Sequence, residues 1–573
     1  MSGALLKPAS AARGSIAGGE PGGAGVKQAI AVVMPSRQVG RVDATFPPHR
    51  FQMHARLPRF AHAAATAAAV ALAMSAVTHA QTTAVSGTRP ARMIIRNAMV
   101  VDGNGTPAKG PFDIVLEGGT ITQLVALDPV AIGRNGGSRR PAAATGTAEI
   151  DATGKYVLPG LINVHAHLQD ERGGAPQPVD YEWKIWLACG ITAVRDVGSD
   201  TRKALAWRDA SNKGTIAAPR IFIYPQFGRP TNADSARAKV RALKAMGVDG
   251  IKLLGIDRDI MAAMEDEAHK EGLRVAHHVG VEETNAWDDI HFGTTSIEHW
   301  YGIPDAAIVD GVQGFPPSYN YNNETDRFRW AGHLWREADP ARLSMVLDSM
   351  VARHVAWVPT LDIYEASRDL QRARTQPWFA DYLHPTLEDY FRPDPANHGS
   401  YFFGWTSTDE TYWKENYRIW MNAVRDFERK GGLVGAGDDA GFIYQMYGFG
   451  LLRELELHQE AGFSPIKVIQ HATFNNARIL GKETELGRVR QGFKADLIVV
   501  NGNPLENLKL LYPTGVDDIK DGKPVHTGGV EWTIKDGIPY HGPTLMRDVK
   551  QIVAKARADR GAKADRMDKP TPR

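Results

Sequence analysis

Two histidines separated by one residue, His165 and His167, provide the first metal-binding groups in this sequence. They end an apolar run, residues 156–163, whose Pro-Gly break is typical of a turn followed by a buried strand. Side chains alternate along a strand, so the two imidazoles are expected to point the same way. Such a pair makes half of a metal site. Because most His-x-His pairs bind no metal, the prediction depends on partners elsewhere in the chain.

A lysine lies inside the apolar segment Gly250–Leu254. Burial disfavours a charged amine, so the pKa of Lys252 is expected to fall. A neutral amine there can react with carbon dioxide to give a carbamate, and a carbamate can bridge two metal ions. The alternative is a buried lysine paired with a carboxylate, which would be the better interpretation if Lys252 stood alone.

Three more side chains of the metal-ligand type follow apolar runs: His278, with the adjacent His277 as its reserve, His299 and Asp439. The intervals from Lys252 to His278 and from His278 to His299 are 26 and 21 residues, about one strand and one helix each. Any one of these residues is more often a hydrogen-bonded polar group in a core. Together with the first histidine pair and the lysine, they predict a shared metal site.

Strands that end at one rim must position these side chains. Between residues 156 and 484, apolar runs alternate with helical patterns, of which Asp257–Gly272 is the clearest. This alternation predicts an α/β fold, a (β/α)8 TIM-like barrel whose carboxyl-terminal rim carries the chemistry. The eight strand candidates are Leu161–Val164, Thr192–Val194, Ile221–Tyr224, Gly250–Leu254, Arg274–Ala276, Thr295–Ile297, Ala356–Val358 and Leu433–Ala436.

The segments outside and within the barrel differ in composition. Residues 90–155 and 485–545 carry β patterns and predict a small β-sandwich domain built from both ends of the chain. Residues 546–573 form a charged tail with a helical pattern at its start.

Two aromatic-rich insertions, 305–345 and 365–425, predict lids or pocket walls. Packing of extra helices or a contact in a homo-oligomer is an equally good interpretation of these insertions.

Residues 1–80 predict a leader. The first part, 1–52, is rich in Gly, Ala and Pro and is either disordered or not part of the natural product. The second part, about 53–80, has basic residues, a short apolar run and small residues before a cleavage site near Ala80. This order predicts a signal peptide and an exported protein, periplasmic or secreted, with no membrane segment after cleavage. A helical N-terminal anchor is the alternative.

The composition of the chain limits the classes of partner that the protein is expected to bind. With 67 Lys and Arg against 65 Asp and Glu, the net charge is +2, which gives no electrostatic footprint for nucleic acid or an anionic membrane. The single cysteine, Cys189, excludes an intrachain disulfide and a thiolate cluster. A small-molecule substrate is therefore the expected partner.

A set of stretches spread over residues 92–540 forms one pattern: Pro159–His167, Gly190–Asp196, Gly250–Lys252 with Glu267–His269, Ser296–His299, Val358–Leu361, Ala472–Thr473 with Asn476–Ala477, Leu486–Gly487 and Gly492–Leu497. This pattern resembles the amidohydrolase superfamily, in its imidazolonepropionase-like and Xaa-Pro-dipeptidase-like branch. One departure is on the eighth strand, where the family usually has Gly-Thr-Asp and this chain has Gly437-Asp438-Asp439. The register favours Asp439 as the ligand.

The resemblance implies a cofactor of two divalent ions, zinc, held by the residues described above. The first histidine pair and Asp439 would bind the more buried ion, and His278 and His299 the other. Carboxylated Lys252 would bridge both ions together with a hydroxide that attacks the substrate. Asp439 would take the hydroxide proton and deliver it to the leaving nitrogen. Tyr224, at the end of the third strand, is a candidate for stabilising the oxyanion, with simple packing as the alternative.

The implied activity is hydrolysis of an amide C–N bond, in a dipeptide or an N-acyl amino acid, by an exported binuclear metalloenzyme. Arg195 or Arg229 is a candidate for binding a substrate carboxylate. Opening of an imidazolone-like cyclic amide or of a lactone at the same site is the alternative. A mononuclear deaminase is disfavoured by Lys252, and a non-catalytic metal-binding protein is disfavoured by the complete set of ligand types.

Overall fold

The computed structural model describes residues 82–132, 140–279, 284–311, 313–320, 323–394 and 399–567. The predicted leader, residues 1–80, lies outside these ranges. The described residues contain twenty strands: β1 (Thr82–Thr83), β2 (Arg92–Val100), β3 (Lys109–Glu117), β4 (Thr120–Ala126), β5 (Thr147–Asp151), β6 (Tyr156–Pro159), β7 (Leu161–Ala166), β8 (Glu171–Arg172), β9 (Ala175–Pro176), β10 (Ile191–Asp196), β11 (Arg220–Ile223), β12 (Gly250–Leu253), β13 (Arg274–His277), β14 (Ser296–Glu298), β15 (Ala356–Val358), β16 (Leu497–Val500), β17 (Val516–Lys520), β18 (Lys523–Thr527), β19 (Val530–Lys535) and β20 (Ile538–His541).

Helices fill the intervals between most central strands. Several have clear N-terminal caps; the side chain of Asn232, for example, accepts a hydrogen bond from the Ser235 backbone N–H. The α-helices are Pro129–Ile132, Val179–Ala188, Thr201–Lys213, Ala233–Ala245, Arg258–Lys270, Ala286–Phe292, Glu324–Ala331, Leu334–Glu337, Pro340–Ala352, Glu365–Arg368, Leu370–Arg374, Phe379–Tyr382, Pro385–Tyr390, Ser407–Arg429, Phe449–Glu460, Pro465–Gln470, Asn476–Ile479 and Gly542–Met567. Within the described residues, no helix is both long enough and apolar enough to cross a membrane.

Strands from both ends of the chain share one nine-stranded sheet. Its order is β1-β5-β2-β6-β16-β19-β20, and β3 and β4 extend from the other edge of β2. The late strand β16 pairs antiparallel with both β6 and β19, so the first and last thirds of the chain meet in this sheet. Apolar side chains of its strands, among them Ile95, Leu497 and Ile534, form a separate core. The two-layer sandwich remains a prediction, because the strands form a single connected sheet.

Two parallel sheets carry the central strands. One has the order β11-β10-β7 and the other β12-β13-β14-β15. Backbone hydrogen bonds join β11 to β12, since Asp249 N donates to Ile223 O at 3.0 Å and Lys252 N to Pro225 O at 2.9 Å. Small and branched side chains of both sheets, including Val164, Ala193 and Ala356, pack together. The described strands therefore form an α/β structure with parallel sheets.

Seven of the eight predicted central strands occur within two residues of their predicted ends. The eighth, Leu433–Ala436, is instead an extended segment whose one bridge pairs Val434 with Trp357. It still connects the two sheets, because Gly435 N donates to Trp357 O at 2.9 Å and Val164 N donates to Ala436 O at 3.2 Å. The segment then leaves the extended conformation at Asp439, which has a φ of 47°.

The aromatic insertions contribute to both the core and a cavity. Five tryptophans pack against one another in the core, through ring contacts such as Trp300 with Trp413 and Trp335 with Trp420. The 23-residue helix Ser407–Arg429 supplies two of them. Other rings of the insertions, including Phe328 and Tyr401, face a cavity. Both interpretations of the insertions, packing and pocket wall, therefore describe part of them.

Candidate metal centre

The structure brings the six predicted ligand residues to one cavity of about 530 Å³. They come from separate elements: His165 from β7, Lys252 from β12, and the others from the segments that follow β7, β13, β14 and Val434. All these positions lie at or just after the carboxyl ends of parallel strands, where ligands bind in such sheets. The complete set is His165, His167, Lys252, His278, His299 and Asp439.

Asp439 is the centre of the histidine cluster. Its Oδ1 lies 2.8 Å from His167 Nε2 and 3.7 Å from His165 Nε2. Its Oδ2 lies 3.8 Å from His299 Nε2, and the rings of His278 and His299 have centroids 4.5 Å apart. Ligand atoms of His165, His299 and Asp439 all lie within 4.8 Å of one another. Such a cluster has the spacing and the donor types that a divalent ion requires.

The two adjacent histidines after β13 point in different directions. His278 lines the cavity, and its ring stacks on Tyr301 with a centroid distance of 5.0 Å. His277 is fully buried, and its Nδ1 lies 2.7 Å from Asp289 Oδ1. Alternation along the strand accounts for this difference. The position of His278 is therefore the one expected of a ligand, and the reserve His277 does not reach the cavity.

Three of the imidazoles at the cavity are held in the neutral form. Burial and the nearby charge of Lys252 lower the pKa of His165 to about 4. Burial also places the pKa values of His278 and His299 well below the ordinary value. A neutral imidazole is the form that binds a metal ion.

The side-chain amine of Lys252 is buried beside the cavity. Its Nζ has no hydrogen-bond partner among the described residues. Burial lowers its pKa to about 8, although the carboxylates of Glu298 and Asp439 act in the opposite direction. An unpaired buried polar group costs free energy. A partner that supplies hydrogen-bond acceptors or a carbamate at this nitrogen would therefore stabilise the site.

Asp438 and Asp439 have different roles. Asp438 Oδ1 accepts a hydrogen bond from Asn163 Nδ2 at 2.7 Å, and Oδ2 accepts one from Leu451 N at 3.1 Å. Burial raises its pKa to about 7. Burial also acts to raise the pKa of Asp439, but the neighbouring His165 and the hydrogen bond with His167 outweigh it and hold that pKa well below the usual range. Asp438 fixes the segment, and Asp439 presents an ionised carboxylate to the cavity.

The sequence reasoning missed the buried carboxylate of Glu298. It accepts hydrogen bonds from His165 Nδ1 at 2.6 Å, Arg195 Nη2 at 2.7 Å and Ser296 Oγ at 2.6 Å. Burial would raise its pKa, but the Arg195 guanidinium and the bond to His165 lower it to about 2. Thr360 has a similar place beside His299, with Oγ1 2.6 Å from Nδ1. A glutamate at the end of a short central strand was the available signal, because a buried charge needs a partner.

Two of the predicted substrate-contacting residues, Arg195 and Tyr224, are not among the residues that line the cavity. Arg195 is fully buried, and its guanidinium contacts Glu298, Ser296 and the Val164 carbonyl. Its guanidinium carbon lies 5.1 Å from the ring centroid of Tyr224, and burial raises the pKa of Tyr224 to about 12. Neither residue lines the cavity, so the structure does not place Arg195 where it would bind a substrate carboxylate or Tyr224 where it would stabilise an oxyanion. Arg195 supports Glu298, and Tyr224 packs against the Arg195 guanidinium. Arg229, the other candidate, does line the cavity.

Comparison with known proteins adds a family match and a similar fold. Residues 421–528, which include Asp439, match the model of the amidohydrolase family. The chain is 25% identical to a D-hydantoinase of Rhizobium radiobacter over 345 residues, 55% of this chain and 66% of the relative. It is 27% identical to a dihydroorotase of Halalkalibacterium halodurans over 229 residues, 38% of this chain and 48% of the relative. The aligned part thus spans less than two thirds of either relative.

A solved structure has the same fold. The crystal structure of a Xaa-Pro dipeptidase with bound methionine in the active site superimposes with a TM-score of 0.54. The superposition covers 78% of this chain and all of that chain, at 21% sequence identity. At this identity the likeness concerns the fold alone.

Proposed function

We propose that this chain is an amidohydrolase-family protein, whose family model matches residues 421–528, and that it hydrolyses an amide C–N bond with the help of two divalent metal ions. The observation that carries the proposal is the convergence of four imidazoles, one lysine and one aspartate on a single cavity. These donors lie up to 274 positions apart in the sequence, and only the fold unites them. The substrate we propose is a dipeptide or an N-acyl amino acid.

The residues present fit a pair of zinc ions. We infer that His165, His167 and Asp439 would hold one ion and that His278 and His299 would hold the other. Lys252, carboxylated on its unpartnered Nζ, would bridge them. When bound, the ions would polarise the scissile carbonyl and lower the pKa of a water molecule.

The protein groups have distinct tasks in this proposal. Asp439 is ionised at neutral pH and is held by His167, so it can take a proton from the attacking water and deliver it to the leaving nitrogen. Glu298 accepts the Nδ1 proton of His165, which leaves Nε2 as a metal-binding atom.

Two finer statements belong to the same proposal. We infer that the two parallel sheets and the segment Leu433–Asp439 are parts of a single eight-stranded barrel, since backbone hydrogen bonds connect them at both junctions. We also propose that the protein is exported, periplasmic or secreted. Only the signal-like pattern of residues 53–80 supports export.

A second candidate is hydrolysis of a cyclic amide at the same site. One of the relatives that the chain matches is named a D-hydantoinase, which favours a cyclic amide as the alternative substrate. The same carbonyl polarisation and the same proton transfer would open such a ring. A panel that contains both linear and cyclic amides distinguishes the two candidates.

The test combines metal analysis with Lys252→Ala. We expect about two equivalents of metal in the wild type, loss of amide hydrolysis in Lys252→Ala, and partial rescue by acetate or propionate. The matched control is Lys535→Ala, which removes another buried lysine whose pKa burial lowers to about 8, far from the cavity and bonded to Ser211. It should keep the metal content and the activity of the folded protein. One equivalent of metal with ammonia release, or no turnover of any amide, lactam or lactone, would refute the proposal.

A further inference from the structure

The cavity has two walls of different chemistry. The loop after β11 supplies the polar side chains Gln226 and Arg229. The segments after β14 and β15, which belong to the other central sheet, supply a wall rich in aromatic rings. The candidate ligands lie at the same cavity and come from both sheets. The rings are Tyr301, Phe315, Tyr319, Phe328, Tyr364 and Tyr401.

Arg229 has no anionic partner among the described residues. Its side chain is exposed to the cavity and forms no hydrogen bond or ion pair with any residue in the described part of the chain. Lys239 adds a second positive charge beside this loop, because a Cβ on Gly228 would lie 3.1 Å from Lys239 Nζ. A guanidinium matches a carboxylate with two parallel hydrogen bonds. The polar wall is therefore suited to a carboxylate of the substrate.

The aromatic wall is suited to a flat ring. Phe328 is stacked with Tyr364 at a centroid distance of 5.6 Å and contacts Tyr401 at 4.6 Å. Tyr301 connects this wall to the candidate metal centre by stacking on His278. Aromatic rings favour such stacked and tilted partners beyond the area that they bury. Arg327 also lines this wall, but it already interacts with other parts of the protein.

We propose that the substrate is an N-arylacyl amino acid or a dipeptide with an aromatic first residue, whose carboxylate binds Arg229 and whose ring packs against Phe328, Tyr364 and Tyr401. This substrate class rests on the proposed amide hydrolysis. The scissile C–N bond lies between the two groups, over the candidate metal centre. Water breaks that bond: its OH goes to the carbonyl carbon and its hydrogen to the nitrogen. An N-arylacyl amino acid then gives an aryl carboxylic acid and an amino acid, and the dipeptide gives two amino acids. The cavity volume lies within the ~300–1,000 Å³ of ordinary ligand sites.

The test uses three matched compounds: N-benzoyl-alanine, N-acetyl-alanine and N-benzoyl-alanine amide. We expect kcat/KM to be about 10- to 100-fold higher for N-benzoyl-alanine than for either other compound, as one stacking or one charge-assisted contact is lost in each. Arg229→Ala should remove the advantage of the acid over the amide. Phe328→Leu, which keeps an apolar side chain without a ring, should reduce the advantage of benzoyl over acetyl. Arg202→Ala, on an exposed helix away from the cavity, is the control.

A binding measurement separates this inference from the proposed function. Calorimetric titration of N-benzoyl-alanine into the metal-free full chain should show about 10-fold weaker binding in Arg229→Ala than in the wild type. Equal hydrolysis of all three compounds would leave amide hydrolysis standing and overturn the substrate class. Turnover of none, with Arg229-dependent binding intact, would overturn the proposed function alone. A loss in Arg327→Ala with none in Arg229→Ala would overturn the assignment of the carboxylate to Arg229.

Discussion

Replacing Glu298 by glutamine removes one charge from the buried support of the candidate metal centre and keeps the shape of the side chain. Three donors point at the carboxylate: His165 Nδ1, Arg195 Nη2 and Ser296 Oγ. A carboxylate accepts all of them, whereas a glutamine amide has a single accepting oxygen and two donor hydrogens of its own. At least one donor therefore faces another donor in Glu298→Gln.

The burial of the pair determines the size of the effect. The side chains of Arg195 and Glu298 are both 0% exposed, so water cannot replace the lost acceptor. Removing one partner of such a pair leaves an uncompensated buried charge and costs about 3–5 kcal/mol. We expect the free energy of unfolding to fall by roughly that amount and the melting temperature to fall by several degrees.

Glu298→Gln should also weaken metal binding through His165. The carboxylate requires a proton on Nδ1 of His165, which leaves Nε2 unprotonated and directed toward Asp439. If the glutamine turns its amide toward the ring, Nδ1 becomes the acceptor and the proton moves to Nε2. Loss of such a supporting hydrogen bond typically lowers metal affinity by about 10- to 100-fold.

The assay is thermal unfolding together with metal content after competition with a chelator. Glu265→Gln is the matched control, since Glu265 is an equally buried glutamate outside the cavity whose carboxyl accepts from Thr294 Oγ1 at 2.8 Å. Burial raises the pKa of Glu265 to about 8, so the group is largely uncharged at pH 7 and glutamine is a close replacement. If Glu298→Gln has the same melting temperature and the same metal affinity as the wild type, the reasoning is refuted.

Two further predictions concern the pH dependence of stability and the space available at a glycine near the metal centre. The folded pKa of Glu265 is raised from 4.5 to about 8 by burial, so its contribution to stability is complete below about pH 4.5 and is lost as the pH rises through 8. Denaturant unfolding should therefore show that the wild type loses stability relative to Glu265→Gln between pH 5.5 and 8.5, and parallel curves would contradict this. Gly437→Ala should lower both stability, by about 1–3 kcal/mol or more, and bound metal, because its Cβ would lie 2.5 Å from His165 Cβ. Gly561→Ala, with no atom within 4 Å of the added carbon, is its control, and unchanged metal content in Gly437→Ala would show that the segment can move.

Local patterns in the sequence predicted the elements that carry the site. Short apolar runs of three to five residues marked eight candidate strands, and the observed ends of seven of them differ by two residues or fewer. The eighth strand, Leu433–Ala436, was harder to predict. Gly435 and Gly437 let this segment lie very close to β7 and to the helix Asn476–Ile479, where it does not form a regular strand. A Cβ on Gly435 would lie 2.7 Å from Asn476 Oδ1, and no local pattern reports such a contact.

The roles of single polar residues could be predicted from the sequence only in part. The sequence analysis named His278 as the ligand and His277 as its reserve, and the structure places His278 at the cavity. The role of Arg195 was different from the predicted one, because its partner Glu298 lies 103 positions away. The sequence showed that both residues were charged and lay in apolar strands, but it did not show that they face each other.

The sequence by itself determined which residue types end the strands, and therefore that neutral imidazoles, an amine and a carboxylate would be available at one rim. This is possible because strand formation and side-chain alternation depend on neighbours in the chain. Only the tertiary structure decided which of these groups share a cavity, which support them from behind, and that the cavity has a cationic wall and an aromatic wall. Those relations depend on distances between residues far apart in the chain, and packing alone sets these distances.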